Sequence, residues 1–180
     1  MKMTHQEFSV KGTTYMIRAA VVTDAQNLSE VRWQIDGETS HLDREQGEAF
    51  IDTPGFEELI QTDTINEKNL FLVAVVADQV VGFSRCEGNS LKRFSHKVEF
   101  GVGVLKDYWG YGIGKNLLTE SIRWCDSNGI RKMTLNVLES NKSAIALYEN
   151  VGFKMEGLLE NDKLFADRKF HNTVVMGRFK

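Results

Sequence analysis

Residues 97–114 read KVEFGVGVLKDYWGYGIG, and the fold turns on how this stretch divides. Its first eight residues alternate: Val98, Phe100, Val102 and Val104 fall on one side of an extended chain, and Glu99, Gly101 and Gly103 on the other. Bulk therefore lies on one face only, and the other face forms an open lane beside a carboxylate. Glycine inside a strand weakens it, so a ligand lying against the bare backbone is a natural compensation. The second half, with Gly110, Gly112 and Gly114 close together, reads as a turn. A helix is expected to follow over 112–128, where Ile113, Leu117, Leu118, Ile122 and Cys125 keep helical spacing and Gly129 stands at the stop. The first N–H groups of such a helix have no acceptor inside it and attract anions, phosphate above all.

Outward from this centre, hydrophobic periodicity and capping residues place the other elements. Tyr15 and Ile17 mark a strand over 13–20. Thr23 and Gln26 have capping-box spacing before a helix carrying Leu28, Val31, Trp33 and Ile35. Thr53 and Pro54 open a second helix, with the threonine as cap and the proline at the first helical position. NLFLVAVV and VVGFSRCE, joined around Asp78 and Gln79, form a β-hairpin. MTLNVLE is a strand, Asn141 caps a short helix over 143–150 that Gly152 ends, and strands at 153–160 and 172–179 complete the chain. The order β-α-α-β-β-β-α-β-α-β-β implies an α/β (α+β) domain around a mixed central sheet.

Composition sets the limits. With 180 residues, 42% apolar and 26% charged, the chain has the size and apolar content of a single globular domain spanning 1–180. Its longest apolar run, 70–77, falls far short of the roughly 20 residues that span a bilayer, so no membrane association is expected. The start, MKMTHQEFSV, lacks a signal-peptide core, which makes the cytoplasm the default compartment. Cys86 and Cys125 have neither metal-ligand nor disulfide-framework spacing; both read as small buried residues, and no metal is expected. A net charge of −3 gives no reason to expect a nucleic-acid partner. That charge is unevenly spread: residues 36–67 hold ten acids against Arg44 alone, while the rest carries 21 bases and 15 acids.

Spacing separates the glycine-rich turn from two familiar phosphate loops. A Walker loop would need glycine at Trp109 and a hydroxyl residue at Asn116; a dinucleotide fingerprint would need glycine at Lys115 or Leu117. The run VEFGVGVLKDYWGYGIGKNLL, followed by NVLESNKSAIALYENVGFKMEGLL, instead resembles the acetyl-CoA-binding core of the GNAT family of N-acetyltransferases, closely over 97–159 and in element order from Tyr15 onward. The family loop Gln/Arg-x-x-Gly-x-Gly/Ala is matched by Trp109, Gly110, Tyr111, Gly112, Ile113 and Gly114, with tryptophan standing where a polar side chain is usual. The pattern Asn-x-x-Ala-x-x-Leu-Tyr-x-x-x-Gly-Phe is complete from Asn141 through Ala144, Leu147, Tyr148 and Gly152 to Phe153.

The resemblance implies transfer of acetyl from acetyl-CoA to a primary amine by direct attack. It implies Glu99 as general base, acting directly or through a water, and Tyr148 as the acid that protonates the leaving thiolate. It implies an oxyanion donor near Val102, in a strand that is bulged and splayed from its neighbour. Backbone groups of Val102, Gly103 and Val104 are expected along the pantetheine arm, those from Trp109 and Gly110 to Lys115 around the pyrophosphate, and Asn141 and Ala144 near the CoA arm. The region between the first and second strands shapes the acceptor site in the family; here it is the acidic segment, which favours a cationic small amine such as a polyamine or amino acid derivative. A peptide or ribosomal-protein N-terminus, or a CoA-binding module without catalysis, are the alternatives. A homodimer is also expected.

Overall fold

A computed structural model describes residues 5–180. Eight strands form one sheet: β1 (Gln6–Val10), β2 (Thr13–Ala19), β3 (Leu70–Val76), β4 (Gln79–Gly88), β5 (Lys97–Val104), β6 (Lys132–Leu138), β7 (Lys154–Leu164) and β8 (Phe170–Phe179). They lie in the order β1-β2-β3-β4-β5-β6-β8-β7, and every neighbouring pair is antiparallel except β5 and β6. Four helices flank the sheet: α1 (Ala25–Glu38), α2 (Thr53–Ile65), α3 (Ile113–Ser127) and α4 (Lys142–Asn150).

Strand β3, LFLVAVV, explains the layering. It is buried over nearly its whole length because both of its faces are covered. Leu72 and Ala74 join Tyr15, Ile17, Phe100, Leu117 and Leu118 on the α3 side. Phe71, Val73 and Val75 join Leu28, Ile35, Phe56 and Ile60 beneath α1 and α2. A period of two in the strand thus feeds two separate cores, as a sheet between helical layers requires. Truncating a side chain such as Leu72, which is 0% exposed, removes about 2–5 kcal/mol.

The expected elements are present, with local corrections. β1 is additional: only Phe8 and Val10 of its five residues pack inward, too short a pattern to read, and it is held by pairing with β2 and by Phe8 stacking on Tyr15 at 5.3 Å. Thr23 does not cap α1, because a short 3-10 turn, Val22–Asp24, intervenes. Asp24 there accepts the Val21 N–H at 2.8 Å and clasps Arg18 at 2.6 and 2.8 Å. At α2 the cap is Asp52 rather than Thr53, accepting the Gly55 N–H at 2.9 Å. The β3–β4 turn is Ala77–Asp78, both at positive φ, one residue earlier than expected. No helix among the described residues is long and apolar enough to cross a membrane.

The decisive feature is the parting of β5 from β6. The two pair only at Lys97↔Lys132, Val98↔Met133 and Glu99↔Thr134. Beyond Glu99, β5 keeps pairing with β4 to Val104, and β6 with β8 to Leu138, leaving a wedge between 100–104 and 135–138. The splay is therefore as expected, but the bulge near Val102 is absent. β4 matches β5 residue for residue from Gly88↔Val98 to Gly82↔Val104, and the register shift lies instead between β3 and β4 at Ala74/Val75. The wedge opens because β6 departs with β8, without an extra residue in β5.

Candidate active site

Chain leaving the tip of β5 passes through the 3-10 turn Lys106–Tyr108 into the glycine-rich loop and then α3. Gly112 caps α3 at φ 77°, a left-handed conformation that glycine adopts without steric cost, and no side chain caps that end. The first helical bond is Asn116 N–H to Gly112 O at 2.9 Å, so the N–H groups of Gly112, Ile113, Gly114 and Lys115 have no acceptor within the helix. This is an anion cradle beside the wedge. Ile113 turns its side chain into the core and offers only its N–H, while the Lys115 side chain is exposed. Trp109 folds back, its indole N–H donating to Val104 O at 2.8 Å, so that carbonyl of β5 is already engaged.

The loop is fastened from beneath by two residues that sequence spacing did not single out as site residues. Tyr15 of β2 is 1% exposed and donates from its hydroxyl to Tyr111 O at 3.2 Å. Asn116 of α3 donates to the same hydroxyl at 2.7 Å. Burial raises the Tyr15 pKa against the opposing pull of the Asn116 bond, keeping the phenol neutral. No motif marks either residue, since the contact joins positions 101 apart in the chain.

Around the wedge, alternation along β5 is as expected. Val98 and Phe100 are buried and Val102 and Val104 partly buried on the α3 side, whereas Glu99 and Gly101 are exposed on the other face. A side chain on Gly101 would meet nothing within 4 Å, so the lane is open there. At Gly103 it is closed: a Cβ would lie 3.4–3.5 Å from Ile35 and Phe83, so this glycine admits core side chains instead of a ligand. Glu99 lies opposite Glu87 on β4, whose carboxylate takes Arg85 at 2.9 Å; Arg85 also grips buried Asp63 at 2.6 and 2.9 Å. Glu99 itself has no hydrogen-bond or ion-pair partner among the described residues.

Asn141, at the start of α4, accepts the Ala144 N–H and the Ser143 hydroxyl, each at 3.3 Å. Its side-chain oxygen is committed to capping, and its amide nitrogen remains to donate. Tyr148, 9% exposed, packs against Phe153 with ring centroids 5.8 Å apart, within the cluster that includes α3. Burial pushes its hydroxyl up to about 12, so the phenol is neutral at physiological pH. Glu99 and Tyr148 thus lie on opposite layers of the sheet.

On the Glu99 face, a cleft of about 700 Å³ lies between residues 36–48 and the β7–β8 hairpin. Asp36, Asp43, Glu45, Glu48 and Asp167 line it against Arg44 and Lys163. Both cations are spoken for, Arg44 by Asp36 at 3.1 and 3.2 Å and Lys163 by Asp43. Much of the acidic segment is structural: Asp63 is locked to Arg85 and Asn69, Asp52 caps α2, and Glu38 accepts the Lys106 N–H at 2.7 Å. Helix α2 contributes nothing to the cleft. Among the described residues, two buried side-chain atoms lack partners, His171 Nε2 and Thr173 Oγ1. Alternation places both on the face opposite Val174 and Met176, the face that carries Glu99. No group of His, Cys, Asp and Glu among the described residues is arranged to hold a metal ion. Cys86 and Cys125 are buried and unbridged; their mutual contact and burial raise the Cys86 thiol well above its usual range.

A parted parallel pair, bare N–H groups at the start of α3 and an uncommitted carboxylate at the fork thus occur in one domain. The sequence model of the acetyltransferase (GNAT) family matches residues 33–153, and the chain belongs to that family. It is 33% identical over 110 residues to the [ribosomal protein bS18]-alanine N-acetyltransferase of Haemophilus influenzae, covering 61% of this chain and 72% of that protein. It is 34% identical over 88 residues to the L-amino acid N-acetyltransferase AaaT of Escherichia coli, covering 48% of this chain and only 54% of that relative. A GNAT-family acetyltransferase from Streptococcus pneumoniae superimposes with a TM-score of 0.89 at 26% identity, over 92% of this chain and 99% of that one. Structures of the same fold have been solved with acetyl-CoA. The chain is an acetyltransferase whose acyl donor is acetyl-CoA.

Proposed function

We propose that this enzyme acetylates the primary amine of a cationic small molecule, a polyamine or an amino acid derivative. The observation that carries the acceptor is the cleft on the Glu99 face, where five carboxylates stand against two cations that are already paired. Such a lining concentrates and orients an ammonium ion.

An amine with a pKa near 10.4 is neutral in only about one molecule in 2,500 at pH 7, so its proton needs a destination. Glu99 takes it, directly or through a water, as nitrogen bonds to the acetyl carbon. The carbon–sulfur bond breaks, and the Tyr148 hydroxyl returns a proton to the thiolate. The Gly112 to Lys115 N–H groups hold the pyrophosphate, and the Val102 strand edge faces the pantetheine arm. A homodimer is part of the proposal: β7 is an edge strand exposed along most of its length, with Met155, Leu159 and Leu164 bare.

An amine panel with acetyl-CoA, read by thiol release, tests the acceptor. Polyamines and basic amino acid derivatives are expected to turn over, with Glu45→Gln/Glu48→Gln raising their KM several-fold. The second reading, a peptide N-terminus, draws support from the 33% identity to the bS18-alanine enzyme. Turnover of an alanine-started peptide, with small amines inert, would establish it and remove the first.

A further inference from the structure

Two successive residues of the β1–β2 turn, Lys11 at φ 51° and Gly12 at φ 79°, are left-handed. Two-residue turns of this kind select asparagine, aspartate and glycine; a lysine there departs from what the turn itself needs. A side chain in a disfavoured backbone position points to a use outside the turn. Its ammonium supplies the direction. Lys11 Nζ lies 3.6 Å from where a side chain on Gly110 would begin, and outside residues 109–111 no other heavy atom of the described residues comes within 4 Å of that point. It also lies over the Tyr111 ring, 5.6 Å from the centroid. No carboxylate among the described residues pairs with it. The cation is therefore held at the rim of the loop whose N–H groups form the anion cradle. Trp109 gives that loop no polar side chain, since its indole is turned onto Val104 O.

We propose that Lys11 is a cofactor-binding residue that pairs with a phosphate of acetyl-CoA, so that the β1–β2 hairpin forms one wall of the cofactor site. The inference rests on acetyl-CoA as the donor and extends its site to an element outside the matched segment 33–153. The hairpin is already tied to the loop by the Tyr15 hydroxyl, and Lys11 completes the tie once a phosphate lies between them.

The test is direct CoA binding by calorimetry to the native chain, Lys11→Gly and Lys11→Arg. Glycine suits the left-handed turn, so Lys11→Gly is expected to melt no lower than the native chain yet to bind CoA about fivefold more weakly, with a shallower salt dependence. Lys11→Arg is expected to retain affinity. Repeating the comparison with 3′-dephospho-CoA separates the two phosphate positions: a fivefold difference that persists assigns Lys11 to the pyrophosphate, and one that vanishes assigns it to the 3′-phosphate. Equal CoA affinity and equal salt slope for native and Lys11→Gly overturn the proposal. Absence of CoA binding by the native chain would instead overturn the donor on which it rests.

Discussion

The two loops that frame the active site are built by opposite means. The loop from Trp109 to Lys115 offers backbone: left-handed Gly110 and Gly112, bare N–H groups and one buried tyrosine clamp beneath. The stretch from Thr39 to Asp52 offers side chains, held by Arg44 on Asp36 and Lys163 on Asp43 and exposed along most of its length. Backbone donors cannot be changed by ordinary substitution, so they suit a cofactor shared by every member of a family. Side chains on a long connection are freely replaced, so they suit an acceptor that differs from one member to the next. The division teaches where each substrate's affinity resides, and it can be broken by variants that disturb one loop and are read on both substrates.

The largest effect is expected at the wedge between the loops. Tyr148→Phe should lower kcat about 100-fold or more while both KM values stay within about twofold, measured by steady-state kinetics. The same variant carries a stability signature. The folded Tyr148 pKa, about 12, stands above its unfolded value of 10.0, so burial of the neutral phenol stabilises fully below pH 10 and is lost as pH rises from 10 through 12. Denaturant midpoints of the native chain should fall over that window more steeply than those of Tyr148→Phe. Next comes Gly112→Ala, which forces a Cβ into φ 77° at a strain of about 1–2 kcal/mol. CoA affinity should drop about tenfold with the amine KM unmoved; an equal rise in both would dissolve the division between loops. Tyr15→Phe removes a donor and an acceptor together, worth about 1 kcal/mol, and should raise the acetyl-CoA KM about threefold with the same selectivity. The smallest effect belongs to Lys163→Ala. Its partner Asp43 is well exposed, so the fold should lose little, while the amine KM for a cationic acceptor should fall about twofold and that for acetyl-CoA stay constant.

The same contrast explains what the sequence reveals. β5 and the loop after it are legible because their chemistry is local: alternation in KVEFGVGV fixes the faces, and glycines six to ten residues beyond it fix the turn. The parting of β5 and β6 is implied only by family resemblance, because it depends on how far β6 follows β8, a pairing between residues about 40 apart. The roles of Tyr15, Asn116 and Lys11 beside the loop are not legible for the same reason, each reaching its partner across roughly a hundred residues. Alternation puts Gly103 in the open lane, but Ile35 from α1 fills that space, which no property of β5 discloses. The acidic run was visible as charge, yet only the packing separates Asp63 and Asp52, which hold the fold, from Glu45 and Glu48, which line the cleft.

The wedge has a consequence for the lifetime of the protein. Between 100–104 and 135–138 the sheet has an interior seam whose strands no longer pair with each other, and an extended cofactor arm that entered it, as proposed, would close it. A ligand that completes a sheet is bound by the folded chain alone, so at a hundred times its dissociation constant it adds about 2.7 kcal/mol to the cost of unfolding. Melting temperature and resistance to proteolysis would then rise with acetyl-CoA concentration.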